Sequence, residues 1–220
     1  MNQPPMPPIV PAGAAIEAAS IRLIEDQIGD QKIYDTQQWP VVRRMIHTSG
    51  DLALHGFISF HPQAVSAGVQ ALRQGGPLIV DVEMIRAGLT ARRLAPLRLT
   101  VHQWNADPQV IAQAQAEGTT RSTQAMRHAW REGLLTGSVV AIGNAPTALL
   151  ELIRLIQEEG VRPALIVGVP VGFIAAAESK EALMMRDDIP WITIRGTKGG
   201  STLAVAALHA LMDLALDTHP

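Results

Sequence analysis

The sequence contains no cysteine, and this absence excludes several classes of protein. A chain without thiols has no disulfide, no thiolate zinc site, no iron–sulfur ligation and no cysteine nucleophile. Aromatic residues are also scarce, at 4% of 220 residues, which argues against a stacking platform for single-stranded nucleic acid. The chain is thus neither cross-linked by disulfides nor dependent on thiol chemistry.

An excess of charge of one sign is missing as well. The formal net charge is −2, so there is no global basic footprint and we expect no nucleic-acid partner. Lysine occurs only at Lys32, Lys180 and Lys198, and the other fifteen cationic side chains are arginines. Planar guanidinium forks suit carboxylates and phosphates, although an arginine excess also follows from a GC-rich genome.

Long apolar runs are absent from the sequence. None reaches the roughly 18–20 residues that a membrane span requires, and the start MNQPPMPPIVPAG lacks the basic end and apolar stretch of a signal peptide. We therefore expect a soluble, cytoplasmic protein without a membrane partner. Five prolines in the first eleven residues predict an extended arm over 1–13. Residues 14–220 are enough for one domain with one core.

Short apolar runs of strand length alternate with helical patterns through most of this domain. Strands are predicted at 77–82, 97–101, 138–143, 164–169 and 191–196. Helices are predicted at 14–28, 41–50, 62–73, 107–117, 121–132, 145–159, 178–186 and 201–216. Continuous apolar strands between helices indicate a mostly parallel sheet that is covered on both faces. The predicted fold class is α/β: a three-layer α/β/α sandwich with a sheet of about five strands.

Small and polar residues follow most of the predicted strands, at the edge where such sheets bind ligands. In GNAPTAL (143–149), the amides at a helix start could hold an anion, or the segment is a tight strand-to-helix turn; both interpretations stay open. RGTKGGS (195–201) resembles a phosphate cradle only loosely, and the chain has neither G-x-x-x-x-G-K-[ST] nor a G-x-G-x-x-G after its first strand. The hypothesis of a nucleotide- or phosphate-binding enzyme therefore depends only on the glycine-rich segments that follow the strands.

The seven histidines form no metal-binding pattern, since there is no H-E-x-x-H motif and no cysteine partner. We therefore expect no metal site. A G-x-S-x-G elbow is also missing, which disfavours a serine hydrolase.

One histidine, His47 in VVRRMIHTSGD, has an unusual setting. Helical phasing places it outside the apolar arc and beside Arg43 and Arg44, which precede it by four and three residues. It is then either a solvated histidine at a helix end, favoured by the helix dipole, or a functional group. In the second case, two guanidinium charges disfavour the imidazolium and leave a neutral ring that can exchange a proton. The same arginines could bind ligand carboxylates.

Seven segments, taken in order, resemble the precorrin-8X methylmutase family, which includes its cobalt-precorrin-8 counterpart. They are SIRLIED, RRMIHTSGD, VDVEMIRAGLTARRL, TRSTQAM, SVVAIGNAPTAL, PALIVGVPVGFIAAAESKEAL and IRGTKGGS. The resemblance runs from about Ala14 to Leu211, and AIGNAPTAL and GVPVGFxxAAESK are highly specific to the family. It implies an isomerase of corrin-ring assembly that moves a methyl group from C-11 to C-12 and yields hydrogenobyrinate or cobyrinate. It also implies an α/β sandwich, no cofactor, and a homodimer with active sites at the subunit interface.

The resemblance implies roles for particular residues. His47 corresponds to the acid–base histidine of the family, which hydrogen-bonds or protonates a ring nitrogen. Positions that line the substrate site are matched by Ser20, Arg44, Thr90, Arg121 and Ser122. Shared motifs place five more residues near the macrocycle or the dimer contact: Asn144, Thr147, Glu178, Ser179 and Lys180. An alternative function is a corrin-binding carrier that hands its product to the next pathway enzyme.

Overall fold

A six-stranded sheet lies at the centre of the computed structural model, which describes residues 13–217. The strands are β1 (Ile58–Phe60), β2 (Gly76–Val80), β3 (Leu99–His102), β4 (Val139–Ile142), β5 (Leu165–Gly168) and β6 (Trp191–Ile194). Their order is β1-β6-β5-β4-β2-β3, and all neighbouring strands are parallel except β1, which pairs antiparallel with β6. All five predicted strands are thus confirmed, and β1 adds an edge strand that the sequence did not predict.

Ten α-helices cover the two faces of the sheet within residues 13–217. They are α1 (Gly13–Ile28), α2 (Trp39–Ser49), α3 (Ala64–Gln74), α4 (Glu83–Gly88), α5 (Ala91–Leu94), α6 (Pro108–Ala116), α7 (Arg121–Arg131), α8 (Pro146–Glu158), α9 (Ala176–Met184) and α10 (Ser201–Leu216). Helices α1 to α5 form one layer with α10, and α6 to α9 form the other. The predicted three-layer sandwich is therefore confirmed. The predicted arm lies outside the described residues, apart from Gly13 at the start of α1.

Two hydrophobic cores, one on each face, explain the continuous apolar runs of the central strands. Along β4, Val139 and Ala141 belong to the core under α10, whereas Val140 and Ile142 belong to the core under α7 and α8. Every residue of β4 thus buries an apolar side chain on one face or the other, as expected for a parallel sheet that is covered on both sides. No helix within residues 13–217 is long and apolar enough to cross a membrane.

The direction in which the chain winds reverses between β2 and β4. After β2 the chain passes through α4 and α5, in the layer of α10, and reaches β3. It then returns through α6 and α7, in the opposite layer, to β4, which lies on the other side of β2. The connections that leave β2 and β4 therefore diverge to opposite faces. Open α/β sheets bind ligands in the crevice that such a switch point creates.

Helix α10 packs between α2 and the α4–α5 pair. Its side chains away from the sheet, at intervals of three and four residues, are Thr202, Val205, His209 and Asp213. The contact region along these four residues, where Val205 meets α4 and Asp213 binds Arg93 of α5, is here called the α10 groove. A Cβ atom added to Gly88 would lie 2.7 Å from a methyl carbon of Val205, so glycine permits the close approach of α4 to α10.

We expect the substitution Gly88→Ala to lower the free energy of unfolding by about 1–3 kcal/mol, the usual cost of overpacking. The matched control is Gly56→Ala, because Gly56 also ends a short helix and a Cβ atom added there would meet no atom within 4 Å. Urea unfolding of both variants measures the effect. Equal stability of the two variants would contradict the close packing of α4 on α10.

Candidate active site

A buried carboxylate, that of Asp81, lies at the switch point between β2 and β4. It directly follows β2 and its side chain is fully buried. Its two oxygens accept hydrogen bonds from the backbone amides of Gly143, Asn144 and Ala145, at 3.1, 2.9 and 2.8 Å. Burial raises the pKa of Asp81, and the three amide hydrogen bonds act in the opposite direction. Since these amides of GNAPTAL already hold an internal anion, the segment is a tight turn rather than a site for an external one.

Two adjacent cavities, here called the exit cleft, open above this point and share Val82. The first has a volume of about 420 Å³ and is lined by Val82, Met84, Asn144, Val171, Gly200, Ser201 and Thr202. The second has a volume of about 590 Å³ and is lined by Val82, Glu83, Arg86, Gln103, Asn105, Ala106 and Arg121. The exit cleft thus combines apolar walls with a polar rim, and it includes Asn144 and Arg121 from the predicted site.

Glycines bring the walls of the exit cleft into backbone contact. A Cβ atom on Gly143 would lie 2.7 Å from the Cα atom of Ser201, and one on Gly199 would lie 2.3 Å from the carbonyl oxygen of Val169. The Gly200 amide donates to the same carbonyl at 2.9 Å. The small residues predicted to open the strand exits therefore serve first to pack three connections against one another.

The starts of α7 and α8 meet beside the exit cleft and carry three predicted residues. The hydroxyls of Thr120 and Thr147 lie 2.9 Å apart, which joins the two helix starts. Ser122 is buried and accepts a hydrogen bond from the side-chain amide of Asn105 at 3.1 Å. Asn105 was not predicted as a site residue, because only the fold brings it next to Ser122. Arg121, Ser122, Asn144 and Thr147 are therefore neighbours at one end of the sheet.

His47 lies outside the buried face of α2, as its helical phase predicts. Val41, Val42, Met45 and Ile46 are essentially inaccessible to solvent, whereas His47 is half-buried. Both neighbouring arginines are paired with α1: Arg43 with Glu25 at 2.6 Å, and Arg44 with Glu17. The sequence analysis suggested that these arginines could bind ligand carboxylates. In this structure they bind the carboxylates of Glu25 and Glu17 instead.

The end of α2 that carries His47 is attached to the wall of the exit cleft. Asp51, one turn after His47, forms an ion pair with Lys198. The carbonyl of Lys198 in turn accepts a hydrogen bond from Lys180 at 2.6 Å. In addition, Ile58 pairs with Ile194 at the end of β6, so the connection from α2 to β1 lies at the carboxyl edge of the parallel strands. His47 therefore lies on the side of the sheet where the exit cleft opens.

Ser20 and Thr90 are not among the residues that line the exit cleft. Ser20 is half-buried on α1, three residues after Glu17, whose carboxylate reaches Arg44. Thr90 is exposed and precedes α5, whose Arg93 binds Asp213 of α10. Apart from the three residues on α9, the predicted substrate-binding residues thus fall into two groups, one at the exit cleft and one on α1, α2 and the start of α5.

The three residues predicted on α9 have other surroundings. Ser179 and Lys180 are fully buried, and the hydroxyl of Ser179 donates to the Ala176 carbonyl at 3.0 Å. Burial lowers the pKa of Lys180 to about 8. Glu178 is exposed in the first turn of α9. In this structure Lys180 thus holds the loop at Lys198, which forms a wall of the cleft. Within residues 13–217 no three His, Asp or Glu side chains are grouped so that they could hold a metal ion.

Comparisons with known proteins give one consistent result. A family model described as precorrin-8X methylmutase matches residues 15–214. The cobalt-precorrin-8 methylmutase of Leptospira interrogans is 43% identical over 205 residues, which cover 91% of this chain and 93% of the relative. That of Priestia megaterium is 44% identical over 200 residues, covering 91% and 87%. A crystal structure of precorrin-8X methyl mutase from Thermus thermophilus has a TM-score of 0.87 and 45% identity, and the match covers 94% of this chain and all of that one.

We expect Asp81→Asn to lower the free energy of unfolding by about 1–3 kcal/mol, because an amide NH₂ group would face a backbone N–H and leave it unpaired. The control is Asp107→Asn at the start of α6. The Asp107 side chain accepts from the amides of Gln109 and Val110 in an exposed cap, where asparagine performs as well as aspartate. Thermal and urea unfolding measure both changes. An equal, small effect at the two positions would contradict a special role for Asp81.

Proposed function

This chain belongs to the precorrin-8X methylmutase family and is an isomerase of cobalamin biosynthesis, and on this premise we propose that it moves a methyl group from C-11 to C-12 of precorrin-8X or its cobalt-containing form. The product is hydrogenobyrinate or cobyrinate. The family match over residues 15–214 is the observation that carries this proposal.

The exit cleft suits such a substrate, which is a broad apolar ring with carboxylate arms. Met84, Val82 and Val171 supply apolar contacts for the ring. Arg121 and Asn144 lie at the rim, where guanidinium and amide groups can bind carboxylates. Ser122 and Thr147 hold the helix starts on which this rim depends. These contacts support substrate binding at the switch point of the sheet.

We assign the proton-handling role to His47. Its ring is half-buried, lies outside the core and has no hydrogen-bonding partner among residues 13–217, so it is available to a ligand. A concerted methyl shift needs little covalent assistance from the protein. Catalysis then comes from holding one tautomer of the ring in a reactive geometry and excluding water. A hydrogen bond or proton from His47 to a ring nitrogen selects that tautomer.

A second copy of the chain is proposed to cover the loop that leads from the exit cleft to α9. Val171 lines the cleft, while Phe173 and Ile174 at the tip of the loop are 94% and 87% exposed. Two large apolar side chains exposed side by side are typical of an interaction surface. A homodimer formed through this loop places each active site beside the subunit interface. We further propose that the protein is cytoplasmic and passes its product to the next pathway enzyme.

We expect His47→Ala to keep its affinity for the corrin product but to lose a factor of about 10²–10⁴ in turnover, the usual contribution of general acid–base catalysis. The measurement is conversion of metal-free and of cobalt-containing precorrin-8, followed by the absorption spectrum of the corrin. Thr48→Ala, an exposed neighbour on α2, is the control and should retain full turnover.

Each outcome of this experiment bears on one part of the proposal. Turnover of His47→Ala at the rate of the unsubstituted protein would refute the role of His47. Tight product retention by the unsubstituted protein, without conversion of either substrate, would instead support a corrin-binding carrier. The relative rates with the two substrates show whether the natural one contains cobalt.

We expect the double substitution Phe173→Ser and Ile174→Ser to give monomers, because it removes the exposed apolar side chains of the loop. Sedimentation velocity of the full chain measures the oligomeric state. Met185→Ser is the control, since Met185 is 85% exposed at the other end of α9. A dimer that survives the double substitution would contradict the proposed interface.

A further inference from the structure

A buried histidine without a partner, His209, lies in the α10 groove. It is 9% exposed, and its Nε2 atom has no hydrogen-bonding partner in the part of the chain that the structure describes. Buried polar atoms are nearly always paired, so an unpaired one requires an explanation. No motif marked His209 in the sequence, because Arg44 and Arg93 come from helices that are distant in the sequence.

Two arginine side chains act electrostatically on His209. Arg44 approaches from α2 and Arg93 from α5, and burial together with these two guanidinium groups lowers the pKa of His209 to about 4. The imidazole is therefore neutral at pH 7 and carries a single N–H. Arg93 is held in a two-pronged ion pair with Asp213, at 2.7 and 3.0 Å. Asp213 lies one turn after His209 on α10, so the Arg93 guanidinium group that it binds lies near the imidazole ring.

Glu17 of α1 supplies an acidic group beside these arginines in this structure. It pairs with Arg44 and also acts on Arg93 through space. A cavity of about 270 Å³ lies between α1, α2 and α10. Its charged lining residues are Glu17, Arg43, Arg44, Asp213 and Asp217, and its lining also includes Ala210, the neighbour of His209 in the chain. The carboxylate of Glu17 therefore does not fill the space beside Arg44.

The first half of α1 is held only loosely. No described side chain between Gly13 and Leu23 is buried, and the buried residues of α1, Ile24 and Ile28, lie in its second half. The side chain of Glu17 itself is 45% exposed. The ion pair with Arg44 is thus the main polar attachment of a half-helix that buries none of its described side chains.

We propose that Arg44, Arg93 and His209 form a binding pocket for one carboxylate arm of the corrin substrate, and that Glu17 occupies this pocket until the substrate displaces it. The inference rests on the proposed function for the identity of the ligand. On binding, the substrate carboxylate takes the place of Glu17 at Arg44 and accepts a hydrogen bond from the imidazole N–H of His209. The first half of α1 is then released from α2.

The first experiment compares Glu17→Gln with Glu25→Gln in titrations with hydrogenobyrinate, followed by its absorption. Glu17→Gln removes the competing carboxylate and should lower the Kd by about fivefold, as expected for loss of one exposed ion pair. Glu25→Gln breaks the neighbouring pair with Arg43 and should leave the Kd unchanged. An unchanged or higher Kd for Glu17→Gln would overturn the proposal.

The second experiment tests His209 with leucine, an apolar residue of similar size. Since it removes an unpaired buried polar atom, His209→Leu should keep or raise the unfolding temperature. The Kd for hydrogenobyrinate should rise about tenfold, the usual effect of one lost hydrogen bond to a charged group. An unchanged Kd would refute the role of His209. Arg93→Lys, which keeps the charge but loses the planar fork, should also raise the Kd and serves if His209→Leu does not fold.

A measurement without any corrin separates this inference from the proposed function. Hydrogen exchange of residues 13–23 should be faster in Glu17→Gln than in Glu25→Gln, and equal rates would refute the attachment. If the protein binds hydrogenobyrinate as described but converts neither form of precorrin-8, the proposed function is refuted and the carboxylate pocket is supported. If it converts precorrin-8 and Glu17→Gln has no effect on the Kd, the carboxylate pocket is refuted and the proposed function is supported.

Discussion

The carboxylate of Asp81 is the contact on which the candidate active site depends. At the switch point, the connections after β2 and β4 leave toward opposite faces of the sheet. Asp81 joins them by accepting hydrogen bonds from three backbone amides. Because the site is buried, each of these hydrogen bonds is electrostatically stronger than it would be in water. Because these amides face inward, we propose that the exit cleft binds ligands through the side chains at its rim. This explains why a chain with glycine-rich strand exits does not need to be a phosphate-binding protein.

Helix α10 connects the two groups of predicted residues. Thr202 lines the exit cleft, and Asp213 binds Arg93 beside the proposed carboxylate pocket. These two residues are about 16 Å apart along a helix that rises 1.5 Å per residue. We therefore propose that a macrocycle with flexible carboxylate arms places its ring at the cleft and one arm in the groove. On this proposal, the two groups belong to one extended site.

The sequence predicts the features of this fold that repeat along the chain, and it misses those that arise from contacts distant in sequence. The five parallel strands and the long helices follow from continuous or periodic apolar residues. Strand β1 and helix α5 are three and four residues long, which is too short for any periodicity to show. The phase of α2 correctly places His47 outside the core. The burial of Asp81 and the unpaired ring of His209 depend on residues 62 or more positions away, and no local pattern reports them.

The buried ion pairs of this protein differ from the exposed pair between Glu17 and Arg44, which we propose the ligand replaces. Glu151 is 7% exposed and binds both Arg127 and Arg154, so breaking it would leave a buried charge unpaired. Glu17 is 45% exposed on a half-helix whose described side chains all reach solvent, and a pair of this kind contributes only about 0–1 kcal/mol. A ligand carboxylate that also meets His209 and Arg93 gains contacts that Glu17 lacks. The competition for Arg44 therefore favours the ligand, although the internal pair has the advantage of belonging to the same chain.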